Sequence, residues 1–331
     1  MAWNNSHRLA YTGIALLMSL GLAACSPSDE KTSPPDTMVS EEAKEMNGQA
    51  GMVDKFVPTR FQAHVYGEIA EQSSEYKPQI ILLPGLASSP EVWNATRDQL
   101  ENDFEVHVLH VNGFAGSQAG ANAEPGALSA LADEVAAYAE QMDDPILIGH
   151  SMGGIVALMV AISHEDAVSK IMSVDVLPFF SVLINPMATE KNMVPAAEKA
   201  RDEMLAQTDA EFEESQIAAM KRLSKSAEHA ALTAEWTVTS DRAAVANIMY
   251  DVLTQDLRKQ VSNIKIPATV VYAFDESAGF PKAVVAGVYQ MNYANLKGVD
   301  LRMIEDARHY VMLDQPEAFA EEITRFVTSS Q

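Results

Sequence analysis

Short apolar runs alternate with stretches of helical periodicity along most of this chain. Pro78 to Pro84 encloses Ile80, Ile81, Leu82 and Leu83 between two prolines, the pattern of a buried strand. Phe104–Val111, Pro145–Gly149, Val168–Val174, Ala268–Ala273 and Leu301–Ile304 give further strands by the same reading. Between them, Leu128, Leu131, Ala132, Val135, Ala139 and Met142 recur at helical spacing, which predicts an amphipathic helix over 125–142. Gly153–Ser163 reads as a largely apolar helix. Pro316–Val327 reads as the last one, with its proline near the N-terminus, where that residue is tolerated. Strand and helix in alternation predict an α/β fold, a mostly parallel central sheet with helices on both faces. One block breaks the rule. Residues 178–260 contain no convincing strand, and Ala196–Ala230 and Ala243–Val261 are rich in helix formers. This is the expected helical cap, inserted between two strands.

The first residues follow a different pattern. A short polar start with Arg8 and no acidic residue leads into an apolar run from Leu9 to Ala24. These are the parts of an export signal, too short for a membrane span of about 20 apolar residues. The run ends in Leu22-Ala-Ala-Cys25, which resembles the lipobox of bacterial lipoproteins. The resemblance implies cleavage after residue 24 and a diacylglyceryl thioether on Cys25. It also implies acylation of the new N-terminus, with palmitate-type chains, and a protein held in the bacterial cell envelope. Ser26, where an aspartate would favour inner-membrane retention, points to the outer membrane or its periplasmic face. Residues 25–55, with Ser, Pro, Asp and Glu in place of large apolar side chains, read as a flexible lipid-anchored tether. The globular domain is expected over 56–331.

Composition narrows the possibilities. The 331 residues carry a formal net charge of −23, a pI near 4.6, 47% hydrophobic residues and a single cysteine. That much apolar content argues against a disordered chain. One cysteine makes neither an internal disulfide nor a Cys-rich zinc module. The acidity has the wrong sign for non-specific attraction to nucleic acid or anionic lipid. No H-E-x-x-H, Cys/His cluster or Walker pattern is present, so neither a metal nor a cofactor is implied.

The chemistry lies in Gly149-His150-Ser151-Met152-Gly153, directly after a predicted strand and directly before a predicted helix. G-x-S-x-G in that context requires a very sharp turn. The glycines let neighbouring backbone approach, and the serine is lifted to the carboxyl edge of the sheet. It also stands near a helix N-terminus, whose amides can stabilise an oxyanion.

From residue 78 to the end, the sequence is similar to the α/β-hydrolase family on the strength of this motif. The resemblance implies a triad in the order nucleophile, acid, histidine. Ser151 is then the nucleophile, and His309, after the last predicted strand, the base. Asp275, after the penultimate strand, is the first choice for the acid. Asp175, one strand earlier, is the alternative. Glu276 adjoins the first choice, and Asp306 is too near His309 in sequence to reach round easily. The oxyanion hole would use the backbone amides of Met152 and of Leu86, in a loop where many relatives carry His-Gly and this chain has Pro84-Gly85. Asn112–Ser117 is either a pocket rim or an ordinary glycine-rich turn. Trp93, Trp236 and the methionines read first as core. Glu211–Glu214 reads as a solvated helix face.

The implied activity is serine hydrolysis of a small carboxylic ester or related acyl substrate through an acyl-enzyme. The same motifs also serve acyl transfer, C–C bond hydrolysis, aminopeptidase and cofactor-free haloperoxidase chemistry. Dehalogenases and epoxide hydrolases of this fold use an aspartate nucleophile, which Ser151 disfavours. A non-catalytic binding lipoprotein is the alternative of another class.

Overall fold

The structure, a computed structural model, describes residues 56–67 and 77–329. The export signal, Cys25 and the tether lie outside the described residues. Among the described residues no helix is long and apolar enough to cross a membrane.

Seven strands form one sheet. They are β1 (Phe61–Tyr66), β2 (Gln79–Leu83), β3 (Glu105–Val111), β4 (Ile146–His150), β5 (Lys170–Val174), β6 (Ala268–Phe274) and β7 (Asp300–Glu305). Their spatial order is β1-β3-β2-β4-β5-β6-β7. β1 pairs antiparallel with β3, and every other pairing is parallel. Six of these strands fall where the apolar runs place them. β1 was not among the predicted strands. It lies at the sheet edge, and its exposed Gln62 and His64 interrupt the apolar signal.

The sheet is covered on both faces. The helices are α1 (Asn94–Leu100), α2 (Ala127–Ala139), α3 (Met152–Ser163), α4 (Glu190–Ala206), α5 (Asp209–Leu223), α6 (Ala227–Val238), α7 (Arg242–Thr254), α8 (Lys282–Asn292), the single turn α9 (Val311–Asp314) and α10 (Pro316–Thr328). Alternate residues of a strand point to opposite faces. Ile81 and Leu83 of β2 therefore enter the cluster built by α2, α3, α7 and α8, while Ile80 and Leu82 enter the one built by α1 and α10. Trp93 is wholly buried in the second cluster and Trp236 is buried there too, so both are core residues.

Helices α4–α7 occupy the insertion between β5 and β6. The stretch 196–230, expected as helix throughout, breaks twice. At the first break Thr208 and Glu211 form a reciprocal cap: the Thr208 hydroxyl accepts from the Glu211 amide, and the Glu211 carboxylate accepts from the Thr208 amide at 2.8 Å. At the second, the Ser226 hydroxyl caps α6 by accepting from the His229 amide at 3.0 Å. Two corners of the insertion grip the sheet domain. At the α6–α7 corner, Gly116 donates to the Thr239 carbonyl, Ala115 to the Ser240 hydroxyl and Asp241 to the Gly113 carbonyl. The 112–117 turn is thus a mooring for the insertion. The second mooring, at the α5–α6 corner, reaches the active site.

Candidate active site

The sheet order brings the chemistry together. From β2 the chain moves outward to β3, and from β4 it moves the opposite way to β5, so the winding reverses between β2 and β4. Open α/β sheets bind ligands at the carboxyl ends of the strands beside such a reversal. The loop after β2, the turn after β4 and the first residue after β5 all lie at that edge.

Ser151 sits in the turn between β4 and α3 with φ +52° and ψ −117°, a conformation that a non-glycine residue adopts only where the surroundings impose it. Its amide donates to the Val174 carbonyl at 2.8 Å, and its carbonyl accepts from Gly154 at 2.8 Å. The flanking glycines are required by close approach. A Cβ on Gly149 would collide with the Gly153 carbonyl, and one on Gly153 with the Leu83 and Pro84 carbonyls. The turn can be this tight only because both lack side chains. Met152 opens α3, so its amide lies in the first helical turn, where no intrahelical acceptor is available. Opposite, Ser88 donates to the Gly85 carbonyl at 3.2 Å and closes a turn with Leu86 and Ala87 at its centre; Ala87 has φ +55°. A Cβ on Gly85 would lie 3.2 Å from Ser151 Cβ, so this turn abuts Ser151.

His309 lies in the loop between β7 and α9, largely buried. Its Nδ1 is 2.8 Å from Asp175 Oδ2. Asp175 follows β5 directly, with φ +50°. Its other oxygen accepts from the Ala273 amide at 2.9 Å and from the Tyr289 hydroxyl at 3.0 Å. Burial alone would raise the Asp175 carboxyl. The hydrogen bond and charge of His309, with the Ala273 amide, outweigh it and hold the group below the ordinary carboxylate range.

The expected pairing of Asp275 with His309 does not occur. Asp275 Oδ2 accepts from Arg308 Nε at 2.7 Å, and its carboxylate also takes the amide and hydroxyl of Ser277. Burial acts to raise this carboxyl too, but Arg308 and Ser277 bring it below its ordinary value. Two causes favour Asp175. β5 borders β4, whereas Asp275 stands one strand farther from Ser151. Arg308, next to His309, captures the more distant carboxylate. Asp306 is also engaged elsewhere, with Lys225.

Tyr289 is a site residue that the sequence reading did not single out. It lies on α8, buried and stacked on Tyr272 with ring centroids 4.1 Å apart. Burial, and then Asp175, raise its hydroxyl well above the ordinary phenol range, so it stays a donor. Tyr289→Phe is expected to lower kcat about 10-fold, the effect of one hydrogen bond to an ionised carboxylate, with KM little changed in steady-state assays.

The second mooring of the insertion meets the histidine loop. The His309 amide donates to the Leu223 carbonyl and Arg308 Nη1 to the Ser224 carbonyl, each at 3.1 Å. His229 Nδ1 is 3.1 Å from Asp314 Oδ1, and Asp314 Oδ2 accepts from the Arg308 amide at 2.9 Å. Beside His309 lies a cavity of about 120 Å³, walled mainly by apolar groups such as Leu183, Leu223, Phe280, Val285 and Tyr289. Three of its lining residues, Leu183, Arg222 and Leu223, come from the insertion. The other described histidines have structural surroundings. His107 binds Tyr138 and Glu105, His110 binds the Phe114 carbonyl and lies beside the His64 ring, and His164 binds Asp133. Among the described residues no three His, Cys, Asp or Glu side chains converge as a metal site.

The family model "Alpha/beta hydrolase family" matches residues 80–322, and the chain belongs to that family. It is therefore a hydrolase by class, with its strained serine and its histidine–aspartate pair at the sheet edge where such enzymes work. Among curated proteins it is similar to the pimeloyl-[acyl-carrier protein] methyl ester esterase of Pectobacterium carotovorum, 27% identical over 253 residues, covering 75% of this chain and 93% of that one. The enzyme of the same name from Vibrio atlanticus is 36% identical over 110 residues, which span 33% of this chain and 41% of the relative. Among solved structures, the enol-lactonase of Burkholderia xenovorans shares the fold with a TM-score of 0.63 at 20% identity, covering 81% of this chain and 96% of that one.

Proposed function

We propose that the protein is a serine esterase in which Ser151, His309 and Asp175 act as the triad. The observation that carries this reading is the 2.8 Å pairing of His309 Nδ1 with Asp175 beside the strained Ser151 turn. With Nδ1 engaged, the other ring nitrogen, Nε2, is left to take the Ser151 proton. The Ser151 oxygen then bonds to the substrate carbonyl carbon. The oxyanion forms against the amides of Met152 and Leu86. The tetrahedral intermediate collapses as His309 returns its proton to the leaving alcohol. Water, deprotonated by the same histidine, attacks the acyl-enzyme and frees the acid and Ser151.

The methyl ester esterases among the relatives support carboxylic esters as substrates. Across a series of p-nitrophenyl esters, hydrolysis is expected in the parent and not in Ser151→Ala. Absence of hydrolysis across the whole series would overturn the proposal.

Leu22–Cys25 supports the further proposal that the enzyme works in the cell envelope, anchored through lipid on Cys25. Globomycin, which blocks lipoprotein signal cleavage, is expected to leave a precursor longer by the 24-residue signal. Unchanged size under that treatment would count against the anchor.

A further inference from the structure

We infer that His150, the residue before the nucleophile, is a positioning residue that locks the nucleophile turn to the loop carrying the base. The inference rests on the Ser151–His309 reading and adds to it a residue that touches neither substrate nor the reacting atoms.

The geometry is specific. His150 Nε2 is 2.9 Å from the backbone carbonyl oxygen of His309. A carbonyl oxygen only accepts, so His150 donates from Nε2, and in the neutral ring Nδ1 keeps its lone pair. Nδ1 is buried and takes no hydrogen bond from the protein. It faces Gly85, where a Cβ would lie only 3.0 Å away. The whole residue is 1% exposed, and its ring centroid is 4.6 Å from that of His309 and 5.3 Å from that of Tyr310. One imidazole thus touches the turn after β2, the histidine loop and, through its own backbone, Ser151. These three segments come from different strand ends, and their relative placement decides whether nucleophile, base and oxyanion amides meet on one substrate carbon.

A second requirement follows from the neighbours. When His309 takes the Ser151 proton it becomes cationic, and a charged ring 4.6 Å away would oppose that step. Burial first, and then the His309 charge, lower His150 from 6.5 to about 3, so it remains uncharged in the working range. Asp175, paired with His309, and Tyr310, whose ring lies beside it and whose hydroxyl donates to Met220 Sδ, are the other titratable residues near it.

The role separates from simple core filling by chemistry. His150→Phe keeps a ring and loses the donor. His150→Gln loses the ring and keeps an N–H at similar reach. The expected result is a kcat about 10- to 100-fold lower for His150→Phe on a p-nitrophenyl ester, with KM within about threefold of the parent. His150→Gln is expected to recover kcat to within about fivefold of the parent. A Phe variant with parental kcat, or a Gln variant as impaired as Phe, would overturn the inference. ¹⁵N imidazole spectra of the unaltered protein give an arm that needs neither variant folding nor hydrolysis. His150 should appear as one neutral, Nε2-protonated tautomer between about pH 5 and pH 9. An Nδ1-protonated form, or ordinary titration in that range, would contradict the inference. If no ester is hydrolysed, the esterase reading fails while the tautomer result still decides the His150 geometry.

Discussion

Asp175→Asn is expected to lower kcat by about 10³- to 10⁴-fold on a p-nitrophenyl ester, while Asp275→Asn stays within about tenfold of the parent. The contrast follows from which base each carboxylate holds. In the proposed triad, Asp175 fixes the His309 tautomer through Nδ1 and stabilises the imidazolium that forms when Ser151 is deprotonated. An asparagine in its place would present either a weaker acceptor or an N–H where an acceptor is needed. Asp275 instead holds Arg308, with a side chain that is only 5% exposed. Its loss leaves a guanidinium and the Ser277 donors without their acceptor. Asp275→Asn should therefore cost about 1–3 kcal/mol of stability, read as a lower melting temperature. Activity and stability thus separate the two aspartates. Reversed results would return the acid's role to Asp275.

The second large effect concerns the nucleophile. Ser151→Ala should reduce kcat by about 10⁵- to 10⁶-fold, with circular dichroism and melting temperature near those of the parent. The fold has reason to tolerate it. Ser151 holds its strained backbone through amide and carbonyl contacts with Val174 and Gly154, and the glycines at 149 and 153 provide the space. None of these uses the hydroxyl. Fluorophosphonate labelling should vanish in the same variant. Persistent labelling would locate the reactive serine elsewhere.

Residues whose roles are set by local sequence were the ones most visible before the structure. Gly149–Gly153 declares its own turn, because only glycines admit the backbone crowding seen there. His309 could be placed by its position after the last strand. The choice between Asp175 and Asp275 was not local. It depends on β5 lying next to β4 and on the side chain of Arg308, beside the more conspicuous His309. A cation adjoining the base was the available signal that one carboxylate would be captured. Tyr289 left no such mark, since a tyrosine on an amphipathic helix looks like core until its hydroxyl is seen on Asp175. The breaks in the insertion were legible in part. Thr208-x-x-Glu211 is a helix start that composition alone smoothed over. The mooring of the insertion at 113–116 uses mostly backbone groups, which no side-chain pattern announces.

The most direct test of the triad is to trap its covalent intermediate. Rapid acid quench during turnover of a slowly deacylating p-nitrophenyl ester, followed by peptide mass spectrometry, should find one acyl group on Ser151 in the parent. The Asp175→Asn protein should accumulate it far more slowly and the Ser151→Ala protein not at all. Turnover with no acyl adduct, or an adduct on another residue that persists in Ser151→Ala, would contradict the account.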